Sequence, residues 1–232
     1  MSLHVLDRPV WNAMTTRQAH LAIGDGAARR YRPDVNVFAA TANYSPSALT
    51  AVAALAQLGE MLVILEEAEA PAIPGTRVER VRTVNQMAWQ GPAMSVPSLD
   101  YVGLGNADAA EMLALATMTE PGPFSTATHL MGDFIGVREN GRLIAMAGQR
   151  FRVTGFVEVS AVCTHPEHRG EGLAGKLMRV LIERIVAGGD TPFLHTYPEN
   201  SDAIRLYETL GFRFRAALTG TFLARLDPAQ VP

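Results

Sequence analysis

From Leu173 to Ala187, apolar residues recur at 173, 177, 180, 181 and 185, which is helical spacing. That stripe predicts an amphipathic helix, ended by Gly188-Gly189. Asn200 to Leu210 repeats the pattern with Ala203, Leu206, Tyr207 and Leu210, and Gly211 as its stop. Between the two helices, Phe193–Tyr197 reads as a strand. Upstream, Phe134–Arg138 and Leu143–Arg150 read as strands joined through Asn140-Gly141, a pair suited to a tight hairpin turn. Phe156–Thr164 is a third strand, Asp100–Leu104 a short one, and Ala107–Met118 a helix. Phe212–Arg215 and Thr221–Leu226 close the chain as two strands.

The first part of the chain is less regular. Ser45-Pro46 combines a favourable N-cap with proline at the first helical position, and Gly59 is expected to stop that helix. Val35–Thr41 before it and Leu62–Leu65 after it make a strand–helix–strand unit over 35–65. Arg77–Val84 mixes charged and apolar residues and is expected to be a half-buried strand. Trp11–Ile23 is expected to be helical. Four prolines mark loops at 71, 74, 92 and 97. The last two bracket a segment taken as a domain boundary, which divides the chain into 1–97 and 98–232.

Composition narrows the function classes. The chain has 232 residues, 48% hydrophobic and 19% charged, a globular balance with enough length for a substantial core. Its net charge of −3 makes nucleic acid a poor default partner. The lone Cys163 excludes an internal disulfide and any all-cysteine metal site, and points to a cytoplasmic setting. The N-terminus lacks a basic start followed by an apolar run. The longest apolar stretch, Ala48 to Leu65, is broken by Gln57, Gly59 and Glu60, so no membrane span is expected. The histidines are scattered, and no metal site is expected.

Two runs carry candidate chemistry. In the first, a strand ending at Thr164 leads through Arg169, Gly170, Gly172 and Ala174 into the helix at Leu173. Small residues let the backbone approach a ligand, and the first amides of a helix have no internal partners, so the junction suits an anion such as phosphate. An ordinary glycine-containing turn would look the same in isolation. The run lacks the Gly-Lys-Ser/Thr of a P-loop and the spacing of a dinucleotide fingerprint. In the second run, Asn200 can be an N-cap and Tyr207 a core residue.

Taken together and in order, the runs resemble the GNAT superfamily of acyl-CoA-dependent N-acetyltransferases over residues 98–227. The phosphate loop of that family, Gln/Arg-x-x-Gly-x-Gly/Ala, is matched by Arg169, Gly172 and Ala174. Its later pattern is matched by Asn200, Ala203, Leu206, Tyr207, Gly211 and Phe212. The wording from Glu158 to Thr164 is similar to the branch of glycine N-acyltransferases. The resemblance implies an α+β, mixed α/β fold with a twisted, largely antiparallel sheet. The segment 1–97 is then a smaller α/β half, compatible with a degenerate copy of the same fold.

The resemblance further implies acetyl-CoA as co-substrate and an amine, small-molecule or protein, as acceptor. Neither nucleic acid nor membrane is an expected partner, and a homo-oligomer is compatible with the pattern. Amides from Arg169 through Gly170, Gly172, Leu173 and Ala174 to Gly175 would hold the pyrophosphate. Thr164 and Val162 would flank the cofactor arm, with the Val162 amide facing the thioester carbonyl. Asn200 would bind the arm, and Tyr207 would protonate the leaving thiolate. Glu158, four residues before Val162, is the expected general base, the alternative being a salt-bridged strand glutamate. Regular alternation would put Glu158, Ser160 and Val162 on one face, and a bulge would change that phase. His195 and Tyr197 are candidates for the acceptor wall. His165 and His168 read as exposed loop residues, Cys163 as a small core residue, and Lys176 and Arg179 either as candidates for the cofactor's 3′-phosphate or as a solvated helix face. Two rival readings remain: a non-catalytic acyl-CoA sensor, and an enzyme using a longer acyl-CoA.

Overall fold

The computed structural model describes residues 4–92 and 98–227. In chain order the elements are α1 (Pro9–Thr15), β1 (Ala22–Gly24), β2 (Ala28–Tyr31), β3 (Ala39–Thr41), α2 (Pro46–Ala54), β4 (Met61–Glu66), β5 (Thr76–Trp89) and β6 (Val102–Leu104). They continue with α3 (Ala109–Thr119), β7 (Phe134–Glu139), β8 (Arg142–Val153), β9 (Phe156–Thr164), α4 (Leu173–Ala187), β10 (Thr191–Thr196), α5 (Ser201–Thr209) and β11 (Phe212–Arg225). None of these helices is long and apolar enough to cross a membrane.

Local chemistry explains the sharpest boundaries. Ser45 caps α2 by accepting from the Ala48 amide at 3.3 Å. Asn140 and Gly141 both take positive φ, at 50° and 83°, as a two-residue hairpin turn requires. The four elements β9, α4, β10 and α5 fall within two residues of the predicted bounds.

Eight strands form one sheet in the order β4-β11-β5-β10-β9-β8-β7-β6, and β1-β2-β3 form a small second sheet. Neighbours in the large sheet run antiparallel except β9 and β10, which are parallel. This is the mixed, largely antiparallel α/β architecture expected. One core packs α4 against the sheet through Leu177, Met178, Leu181 and Ile182. Another joins Leu6, Met14, Tyr31 and Phe38 to Phe151, Phe193 and Phe222.

Several expectations are corrected. The helix predicted over Trp11–Ile23 ends at Thr15, and a short 3-10 turn over Ala19–Leu21 follows. α2 ends at Ala54, before Gly59. The strand predicted from Val35 starts only at Ala39, and β3 and β4 lie in different sheets, linked by an isolated bridge from Phe38 to Val63. The two closing strands are one, β11, with a register irregularity between Phe214 and Ala216. Arg77–Thr83 is exposed rather than half-buried. Its valines at 78 and 81 are three apart, so they cannot share one face of a regular strand.

Strand pairing runs across the boundary expected between 97 and 98; residues 93–97, including Pro97, lie outside the described residues. β5 lies between β10 and β11. The Trp89 indole N–H donates to the Leu210 carbonyl at 2.9 Å, and the Gln90 amide to that of Gly211 at 2.9 Å. Gly211, at φ 92°, passes so close to Gly91 that an added Cβ would stand 2.7 Å from the Gly91 Cα.

Without β5, β10 and β11 would each expose a row of unpaired backbone groups. A fragment of residues 98–232 is therefore expected to lack a cooperative thermal transition by circular dichroism. A sharp transition in that fragment would contradict this account.

Candidate functional site

β9 and β10 pair over only three positions, Phe156–Glu158 against Thr191–Phe193, and then part. From Val159 onward the edge of β9 faces an opening instead of a strand. On its other side, Ala161 and Val162 stand opposite the single residue Ala147, between the pairs Gly148–Ser160 and Met146–Cys163. This is a β-bulge, and Ala161 takes φ 51° to make it. A non-glycine residue in that region costs about 1–3 kcal/mol, which the surrounding sheet must supply. The regular alternation over Glu158, Ser160 and Val162 is thus interrupted at Ala161.

The opening is a groove of about 680 Å³. Val162, Thr164, Arg169, Gly170, Gly172, Leu173, Ala174, Gly175 and Asn200 all line it. Gly172 is the N-cap of α4 at φ 74°, with no side-chain cap and no acid in the first turn. The first amides of a 15-residue helix are thereby left for a ligand, reinforced by the helix dipole. Nothing lies within 4 Å of a Cβ built on Gly170 or Gly172, so the loop is open on its outer side. Arg179 lines the groove and Lys176 does not. Asn200 also caps α5, accepting from the Ala203 amide at 3.3 Å.

A second cleft, of about 190 Å³, adjoins the groove and shares Val162 and Asn200 with it. Tyr207, His195 and Tyr197 line it, as do Pro121, Gly122 and Pro123. The Tyr207 ring packs edge-on against Phe212, at 6.3 Å between centroids. Burial raises its pKa, so the phenol stays protonated at neutral pH. Its hydroxyl has no hydrogen bond among the described residues. The opposite wall is apolar, formed by Phe38, Val63, Leu65, Val84 and Phe222.

Glu158 is where the expectation fails. Its side chain is fully buried and does not line the cleft. Arg150 holds it bidentately, Nε to Oε2 at 2.8 Å and Nη2 to Oε1 at 2.6 Å. The Phe151 amide donates to Oε2 at 3.2 Å, and His195 Nδ1 lies 2.7 Å from Oε1. Burial alone would raise its pKa, but Arg150 and His195 more than offset that and hold it at about 2. A carboxylate this acidic, with its lone pairs engaged, is not a base that meets an amine directly. The salt-bridged reading of Glu158 is the one observed.

The contacts continue across the sheet. His195 Nε2 lies 3.0 Å from Gln86 Nε2. Gln86 donates to the Leu6 carbonyl at 3.0 Å and accepts from Arg215 at 2.8 Å. These two bonds orient the amide, so its remaining N–H faces His195. Arg215 ends on Asp7. Sequence reasoning missed Arg150, Gln86 and Arg215. Only Arg150 had a local signal: the Thr154-Gly155 turn folds β8 back on β9 and brings position 150 near 158. It also missed Glu120, which lines the cleft at φ 49°.

Cys163 is buried, as expected, and burial pushes its thiol to about 11, leaving it a poor nucleophile. His165 is buried rather than exposed; its Nδ1 accepts from the Glu167 amide at 3.3 Å and its Nε2 contacts Arg142. It groups with Glu167 and His168 within 4.8 Å, so the histidines are less scattered than the sequence implied. Both ring nitrogens of His165 are nonetheless engaged by protein.

Residues 134–219 match the FR47-like protein family. A GNAT-family protein of Novosphingobium aromaticivorans DSM 12444 is 44% identical, with 97% of this chain and 100% of that one covered and a TM-score of 0.90. A GCN5-related N-acetyltransferase from Kribbella flavida shares the fold at 18% identity, covering 97% and 96% with a TM-score of 0.60. A GNAT-family acetyltransferase from Colwellia psychrerythraea shares it at 12% identity, covering 90% and 96% with a TM-score of 0.52. No curated protein matches the chain.

The Glu158 geometry sets a stability test. Glu158→Gln leaves the buried Arg150 guanidinium without its counter-charge, a loss of about 3–5 kcal/mol for a broken buried pair. The folded pKa lies below the ordinary value of 4.5, so the stabilisation is complete above about 4.5 and is lost as pH falls toward about 2. Denaturant melts should show a large gap between parent and variant at pH 7 that narrows through that window. A pH-independent gap under 1 kcal/mol would contradict it.

Proposed function

The chain belongs to the GNAT family of acyltransferases, and on that premise we propose that it moves an acetyl group from acetyl-CoA to a primary amine by direct attack. The observation that carries the reading is the meeting of groove and cleft at Val162 and Asn200, with Tyr207 beside them. The groove, with its helix N-terminus and glycine loop, suits the pyrophosphate and arm of CoA. The cleft suits the acceptor. The Glu158–Thr164 wording is the ground for a place in the glycine N-acyltransferase branch.

The amine nitrogen bonds to the thioester carbon, and negative charge gathers on the carbonyl oxygen. A preorganised N–H donor at Val162, in the bulge, stabilises that oxyanion. The C–S bond then breaks, and Tyr207, held protonated by burial, gives its proton to the departing thiolate, while the second proton shed by the attacking nitrogen as the amide forms passes through water to the Tyr207 phenolate. An ordinary ammonium has a pKa of about 10.4 and must lose a proton to react. Glu120 is the acidic side chain lining the cleft, with no ion pair among the described residues, and it receives that proton directly or through water. Glu158 serves by holding Arg150 in place. Cys163, buried and protonated, takes no part as a covalent carrier.

The reading is tested by thiol release from acetyl-CoA on adding primary amines; no release with any amine would count against it. Tyr207→Phe should cut turnover about 10²–10⁴-fold while leaving acetyl-CoA affinity nearly intact, because one unpartnered hydroxyl is lost. Equal turnover would return Tyr207 to a packing role. Gly172→Val should weaken acetyl-CoA binding in calorimetry, since a side chain at φ 74° is strained and stands where the phosphates approach.

A further inference from the structure

We propose that a second copy of this chain adds to the outer half of β5, edge to edge and antiparallel, so that the two large sheets join into one. β10 pairs with β5 only from Asn85 to Ala88. From Arg77 to Thr83, the side of β5 turned away from β11 has no backbone partner among the described residues. The Gln90 amide points toward β11 and donates to Gly211, so by alternation the amides of Thr83 and Val81 point away from β11. An unpaired edge of this length is a template for another strand.

The side chains select which strand. Arg80 stands opposite Phe222 and Val78 opposite Leu223, so Glu79 between them is an extra residue without a partner. That insertion returns Val78 and Val81, opposite Leu223 and Thr221, to one face of the sheet, and it turns the Val78 amide outward as well. Both valines are exposed, at 45% and 39%. A two-fold axis normal to the sheet, level with the Glu79–Arg80 peptide, sets Val78 of each copy opposite Val81 of the other and Glu79 opposite Arg80. The valines then cover one another on one face, and opposite charges flank the axis. Arg77 comes opposite Arg82, where Glu199, 3.6 Å from Arg82, supplies an acid. A shift of one residue either way sets Arg80 against Arg80 or Glu79 against Glu79. An edge of one charge sign deters pairing, whereas this order of signs fits its own copy.

The contact is small, so the dimer belongs to the weak, concentration-dependent class. Sedimentation velocity of the full chain between about 1 and 200 µM should show monomer giving way to dimer. E79R alone sets Arg against Arg across the axis, and R80E alone sets Glu against Glu. Each should weaken self-association by about 10- to 30-fold, the effect of two exposed ion pairs turned to repulsion. Mixed in equal amounts, the two variants present Arg opposite Glu at both places and should associate as the parent does. Neither residue lines the groove or the cleft, and circular dichroism checks that both variants fold. Hydrogen exchange gives a readout free of substitutions: the Val78 and Val81 amides of the parent should slow as its concentration rises. A parent that stays monomeric over that range overturns the proposal. A dimer that both single variants leave intact lies on another face and overturns it too, as does a mixture that fails to associate.

Discussion

A carboxylate sealed from water has to be met by donors on every side, and Glu158 draws them from neighbouring strands. Arg150 comes from β8, Glu158 from β9 and His195 from β10; Gln86 and Arg215 continue the chain on β5 and β11. That is the order of the strands in the sheet. Slipping any of them by one residue would turn its side chain to the other face and strand a buried charge or amide. The polar chain therefore pins the four registers among these five strands at once. Hydrophobic burial favours the sheet but tolerates many packings, whereas this network tolerates one.

The same constraint permits the opening between β9 and β10. The pair is held together at its start, where Glu158 and Phe193 are register partners and His195 reaches back to Oε1. Beyond that clamp the strands can diverge without loss of register elsewhere. The bulge at Ala161 and Val162 then redirects β9 past the N-terminus of α4. Strain at Ala161 is sustained by a sheet whose position is already decided on both sides.

Legibility in the sequence followed the range of the interactions. The hairpin at Asn140-Gly141, the helix α4 and the loop before it rest on contacts within a few residues, and their bounds could be read directly. The nine residues expected to contact the cofactor all line one groove. The cleft depends on pairs far apart in sequence: Glu158 meets His195 37 positions on, and Gln86 lies 109 positions before His195. No local pattern marks such partners, so Glu158 stood open between a general base and a salt-bridged strand glutamate, and Arg150 went unnoticed. The run Ala216-Ala-Leu-Thr-Gly220 looked like a break in β11 because small residues carry little strand signal, yet pairing with β4 and β5 carries the strand through it. Val35–Thr41 erred the other way: its strand-like residues are largely consumed by a turn that seats Val35 and Phe38 in the core.

The long-range pairing also explains what the first part of the chain contributes. Its residues do not line the groove, which is made wholly from Thr119 and residues 162–206. They supply Phe38, Val63, Leu65 and Val84 to the cleft and Gln86 to the polar chain beneath it. The loop before α4 is shaped by backbone amides and glycine φ angles close together in the sequence. The cleft depends on side chains carried in by β4 and β5, which must first add to the sheet beside β10 and β11. Changes in residues 35–90 can therefore reshape the cleft while leaving the groove intact. On the proposed reaction, that makes the first part of the chain a determinant of acceptor choice, physically separable from the machinery that holds the acyl donor.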